Sequence, residues 1–165
     1  SDKDKLAISK ARKYGIKFYS FSFADSKNSV LKLRKLIGKK SILISKIESK
    51  KGLKNLKEIL SVSNSIIIDR GDLSREIPIY RIPTIQRQII KTAYKQKKPV
   101  YVATNLLENM ISKKDPTRAE VNDVISTLEM GAKGLVLAAE TAIGKYPINT
   151  VKMIDFLIKE FKNLG

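Results

Sequence analysis

The chain has 165 residues, 42% of them hydrophobic and 30% charged, with 33 Lys and Arg against 16 Asp and Glu for a net charge of +17. That length and balance suit one folded domain with a sizeable core and exclude a disordered or collagen-like chain. With no Cys and no His, disulfide frameworks, thiolate or imidazole metal sites and Ser-His-Asp or Cys-His machinery are excluded; any chemistry falls to carboxylates, Lys, Thr, Ser, Tyr or a hard metal ion.

In chain order, the opening SDKDKLAIS has neither an initiator Met nor an apolar signal core, which suggests the edge of a processed or excised chain. A helix is predicted over about 3–14, then a strand over 17–22 (KFYSFS). Val30, Leu33 and Leu36 or Ile37 share one face of the next helix, which Gly38 stops. A strand at 41–46 (SILISK) precedes a helix carrying Leu53, Leu56, Ile59 and Leu60. After the strand 65–69 (SIIID), the helix 81–97 ends in a basic turn closed by Lys98-Pro99. The strand 99–103 (PVYVA) leads to a helix with Asp115 as N-cap, Pro116 at its first position, Glu120 early and Gly131 beyond its last turn. The strand 134–138 (GLVLA) and a helix over about 148–163 complete the chain.

Alternating strands and helices mark βα units around a parallel sheet, and the apolar strands predict burial on both faces. Five such units are too few to close a (β/α)8 barrel, which takes roughly 250 residues, or roughly 200 when lean. The pattern leaves an α/β fold of two kinds: an open flavodoxin-like sheet, or a partial (β/α)8 TIM-type barrel. No apolar run approaches the roughly 20 residues of a membrane span. Few Arg, and Lys scattered over the helices rather than gathered with aromatics, argue against a nucleic-acid partner.

Chemistry concentrates in ISKIES, 44–49. Side chains two apart on a strand share a side, so Lys46 and Glu48 emerge together at the carboxyl end of the second strand, where parallel α/β proteins bind ligands. The third strand runs into IDRGDLSREIP, which puts Asp72 beyond its end on a Gly71 turn. Glu48 and Asp72 suit Mg2+ or Mn2+, ions that take one or two protein carboxylates, and Lys46 supplies a cation for a phosphate or enolate. A surface ion pair beside a polar turn fits the same spacing. Thr104 ends the fourth strand, where a helix N-cap is the commoner role, and Glu140 and Thr141 follow the fifth.

These segments, in order, resemble pyruvate kinases over essentially the whole chain. ISKIES is similar to that family's SKIE strand, IDRGDLSREIP to its RGDLG-x-EIP loop and YVATNLLENM to its ATQMLESM segment; DPTRAE matches its PTRAE helix start and LAAETAIGKYP its SGETAKGxYP turn. The opening SDKD and SFSF segments look like its SEKD and ASF. The resemblance implies the last five βα units of the family's barrel. Its first three strands, the lid and the C-terminal regulatory domain have no counterpart in these 165 residues.

The resemblance further implies phosphate transfer from phosphoenolpyruvate to ADP, giving pyruvate and ATP in glycolysis, with Mg2+ (or Mn2+) and K+. Glu48 and Asp72 would hold the divalent cation and Lys46 would stabilise the phosphoryl group and enolate. The N–H groups of Gly71, Asp72 and Thr104 would receive the substrate carboxylate, with Thr104 also in a proton relay. The family's phosphate-binding Arg and K+ ligands fall outside the chain, so the segment alone is expected to be inactive. Departures from the family pattern are Ser74 for a loop Gly, Asp69 for Ala, Ala24 and Asp25 in place of an Arg-bearing motif, Asn105 for Gln, and Ala138-Ala139 for Ser-Gly. A non-catalytic module pairing with a complementing chain or a second copy through open barrel edges is the alternative, as is a metal-dependent aldolase or lyase acting on pyruvate-like enolates. The expected location is the cytoplasm, or an organellar stroma or matrix if a transit peptide has been removed.

Overall fold

A computed structural model describes residues 1–163. Its element order is α1 (Asp2–Lys13), β1 (Phe18–Phe21), α2 (Lys27–Ile37), β2 (Ile42–Ile47), α3 (Lys50–Lys54), α4 (Leu56–Val62), β3 (Ser65–Asp69), α5 (Arg70–Glu76), α6 (Ile82–Lys95), β4 (Val100–Ala103), α7 (Arg118–Glu129), β5 (Gly134–Val136), α8 (Ala139–Ala142) and α9 (Pro147–Asn163). The five strands are all parallel and lie in the order β1-β2-β3-β4-β5. An open doubly wound sheet reverses its strand order at a switch point. A sequential order with right-handed crossovers instead puts every helix on one side, and this sheet is therefore a wall of a barrel.

Burial along the strands shows the same thing. Leu43, Ile47, Ile66, Ile68, Val100 and Val102 face the helices and are buried, whereas the alternate residues Ile44, Lys46, Ile67 and Tyr101 are only half-buried. The expectation of burial on both faces thus fails for most strands. A barrel strand has its second face covered only by strands across the lumen, and here that face is open. At the edges, Phe18 of β1 remains 65% exposed and Val136 of β5 37%.

The core between sheet and helices joins Val30, Ile37, Ile59, Leu60, Ile85, Ile89 and Ile90 to the inward strand residues. A second cluster packs Leu106, Leu107, Met110, Val124 and Leu128 against Ile154 and Leu157 of α9. Gly38 does end α2, with φ +90°, and Ile37 rather than Leu36 is the buried residue at its close. Three local expectations are corrected. The helix through Leu53 to Leu60 is two helices hinged at Asn55. The N-cap of α7 is Thr117, not Asp115: its hydroxyl accepts from the Glu120 N–H at 3.2 Å and the Glu120 carboxylate accepts from the Thr117 N–H at 2.7 Å. This reciprocal box satisfies two free donors, which Asp115, two residues earlier, does not reach. The RGD segment is the first turn of α5 rather than an irregular turn, with Asp69 accepting from the Asp72 N–H as its cap.

Candidate metal and anion site

Parallel register sets the site. Ile47 lies beside Ile68 and Asp69 beside Ala103, so Glu48, Asp69 and Thr104 leave the sheet at nearly one level. All are at the carboxyl ends of the strands, on the side the helices do not cover. Glu48 is buried although it follows the last residue of β2. One of its oxygens lies 2.5 Å from the Lys46 ammonium, and the other accepts from the N–H of Phe23, a residue held at φ +49°. The chain after β1 therefore curls back to clamp the carboxylate.

Asp69 is the member of the cluster whose placement the sequence shows least. Its Oδ2 is 3.2 Å from Lys46 Nζ; its Oδ1 accepts from the Asp72 N–H at 3.3 Å. Glu48, Asp69 and Asp72 each present an oxygen within 4.8 Å of the others. Three hard oxygen donors at that spacing, Glu48 and Asp69 buried and Asp72 partly open, fit a Mg2+ or Mn2+ ion with room for waters or ligand oxygens. Burial pulls the Lys46 pKa down, but hydrogen bonds to Glu48 and Asp69 and the charge of both outweigh it, and the net shift is upward. The ammonium is thus firmly charged. The structure brings Lys46, Glu48 and Asp72 together as a group, rather than as an ion pair beside a separate turn.

Thr104 stands next to them. Its Oγ1 accepts from the Gly71 N–H at 2.8 Å and lies 2.6 Å from the Ala103 carbonyl oxygen and 3.3 Å from Asp69 Oδ1. It is not the N-cap of a following helix, but its hydroxyl takes up a first-turn donor of α5; it sits at φ +69°, followed by Asn105 at +54°. The three N–H groups singled out in the sequence all have partners in the chain: Gly71 with Thr104, Asp72 with Asp69, and Thr104 with the Val136 carbonyl at 3.4 Å. Glu140 lies apart from the cluster, buried, accepting from the N–H groups of Leu107 at 3.4 Å and Ala138 at 2.9 Å.

Two supporting groups escaped the sequence reading. Arg70 is buried, donating to the carbonyls of Thr104 and Asn105 and pairing with Asp123 at 2.6 Å. Phe23 supplies a backbone donor, which no side-chain pattern can signal. The RGD motif contained the first, but only the fold reveals that its Arg turns away from the carboxylates.

A family model described as pyruvate kinase, barrel domain, matches residues 1–151. The pyruvate kinase of Thermotoga maritima is 43% identical over 163 residues, covering 97% of this chain and 35% of that protein. That of Thermoplasma acidophilum is 38% identical over 157 residues, covering 93% and 29%. The chloroplastic pyruvate kinase isozyme G of Ricinus communis is 39% identical over 142 residues, covering 84% and 34%. The chain spans about a third of the length of these relatives. A sequential parallel wall, the cluster at its carboxyl rim and these matches together establish that the chain belongs to the pyruvate kinase family.

Proposed function

We propose that residues 1–165 are one barrel segment carrying the divalent-cation half of a pyruvate kinase active site. Completed by the remainder of a barrel, it transfers phosphate from phosphoenolpyruvate to ADP. The observation that carries this reading is the convergence of Glu48, Asp69 and Asp72 within 4.8 Å around a charged Lys46. Glu48 and Asp72 hold Mg2+ or Mn2+, and K+ belongs with ligands outside these residues. A bound divalent cation would offset negative charge on the phosphoryl group and polarise the enolate oxygen.

The chain's own groups do the rest. Lys46, fixed at 2.5 Å from Glu48, presents a positive charge that need not reorganise when charge develops on the substrate. The N–H groups of Gly71, Asp72 and Thr104 take the substrate carboxylate by exchanging their internal partners for it. The Thr104 hydroxyl, released from the Gly71 N–H and 3.3 Å from Asp69 Oδ1, holds the proton bound for the enolate carbon. Phosphoenolpyruvate or pyruvate, ADP or ATP, and a completing chain or second copy are the partners this reading requires.

Electron paramagnetic resonance of Mn2+ tests the site directly. The wild-type chain is expected to bind Mn2+, and Glu48→Gln to weaken binding by about tenfold or more; equal affinity excludes Glu48 as a ligand. In a lactate-dehydrogenase-coupled assay the 165-residue chain alone is expected to show no ADP-dependent turnover, and robust turnover would refute the need for completion.

A further inference from the structure

Asp69 is buried at the end of β3. Its two oxygens are directed at the groups an anionic ligand would need: Lys46 Nζ at 3.2 Å, the Asp72 N–H at 3.3 Å and Thr104 Oγ1 at 3.3 Å. The ammonium is further held by Glu48 at 2.5 Å. A phosphate or carboxylate entering this rim must displace an anion that belongs to the chain, and must do so against three carboxylates gathered within 4.8 Å. With one ammonium among three carboxylates, the juxtaposed like charges disfavour binding of a further anion. A divalent cation among Glu48, Asp69 and Asp72 changes both conditions, since it offers Asp69 a doubly charged partner and leaves Lys46 and the Asp72 N–H available.

We propose that Asp69 is a specificity-determining residue, an internal anion that keeps phosphate and carboxylate ligands out of the site until a divalent cation recruits its side chain. The inference rests on the reading that the cation binds beside Glu48 and Asp72, and it makes cation entry precede anion entry. Asp69 acts here by occupying donors rather than by touching the reacting atoms.

The test compares the wild-type chain with Asp69→Ala and Asp69→Asn. The second variant keeps an oxygen to cap α5 while losing the charge, so a folding defect in the first leaves the comparison intact. Inorganic phosphate is titrated calorimetrically in the presence of EDTA, and Mn2+ separately by electron paramagnetic resonance. Both variants are expected to bind metal-free phosphate about tenfold more tightly than wild type, and Mn2+ about tenfold more weakly. Equal phosphate affinity in all three proteins overturns the proposal, and so does Mn2+ affinity that ignores the loss of Asp69. Wild-type Mn2+ binding that is indifferent to Glu48→Gln sinks the metal reading instead, and the phosphate comparison still decides whether Asp69 excludes anions.

Discussion

The Arg70 guanidinium takes no part in the carboxylate cluster beside it; it holds the turn that carries Thr104. Nε and Nη2 donate to the Thr104 carbonyl at 3.1 and 2.7 Å, Nη2 also to the Asn105 carbonyl at 2.8 Å, and Nη1 pairs with Asp123 at 2.6 Å. Thr104 and Asn105 both have positive φ, 69° and 54°, a conformation that costs non-glycine residues roughly 1 kcal/mol or more each. Arg70 offsets that strain by holding both carbonyls. Replacing it with Met leaves two carbonyls and a carboxylate without their partner, and the expected loss is about 3 kcal/mol in urea unfolding. Arg70→Lys should recover less than half of it, because one ammonium cannot span the fork. Full recovery by Lys would reduce the role to charge alone.

Asp25 gives a pH signature at the same scale. The Lys51 ammonium at 2.7 Å, then the Ser29 and Ser26 hydroxyls, lower its pKa from 3.8 to about 2. A depressed folded pKa adds stability that is present above 3.8 and disappears as pH falls toward about 2. With the carboxylate 34% exposed, solvent screening limits the effect to below about 1 kcal/mol. Asp25→Asn is therefore expected to lower the urea midpoint slightly near neutral pH and to match wild type once the pH is below about 2. A deficit that persists in acid would assign the effect to packing.

Among the elements, α3 shows how closely the scaffold approaches the site. A Cβ on Gly52 would stand 2.7 Å from the backbone oxygen of Ala24, a fully buried residue in the segment that bends back over Glu48. Helix propensity favours Ala over Gly by about 1 kcal/mol, but a backbone atom cannot swing aside as a side-chain tip can. The collision is expected to win, with Gly52→Ala costing a net 1–3 kcal/mol, roughly, in thermal or urea unfolding. A stabilised variant would show that the Ala24 segment yields. The contact was invisible in the sequence, where Gly52 reads as one weak helix former among Lys residues. Legible parts of the fold were those with a local signal. The β-branched runs marked β2 to β4 to within a residue or two, and the two-residue period put Lys46 and Glu48 on one side. Asp69 capping α5 and the Thr117–Glu120 box are local, three residues apart, and the second carries the T-x-x-E signature that Asp115-Pro116 outweighed in the sequence. The Asn55 break has no such signal, and Phe23 donating to Glu48 pairs across the chain, out of reach of any local pattern.

At the scale of the whole molecule, the sheet has one covered face and two unpaired edges, β1 and β5, among the described residues. Basic residues close several helices, Lys10, Arg12 and Lys13 on α1, Arg34 and Lys35 on α2, and Lys95 on α6. Helix dipoles favour cations there, and in this topology those ends lie opposite the carboxylate rim. The chain therefore gathers basic residues at that end and leaves two strand edges open. Open edges recruit strands from other chains, while a net charge of +17 opposes the approach of a second copy. Salt decides between them, since the Debye length falls from roughly 30 Å at 0.01 M to roughly 3 Å at 1 M. Sedimentation velocity is expected to show an 18.6 kDa monomer at the lower ionic strength and larger species at the higher one. Phe18, 65% exposed on the β1 edge, is the side chain to change: Phe18→Lys puts a charge on that edge and should suppress the salt-induced association. A chain that stays monomeric throughout that range would mean its edges are self-protected, and completion by another segment would then require recognition more specific than strand addition.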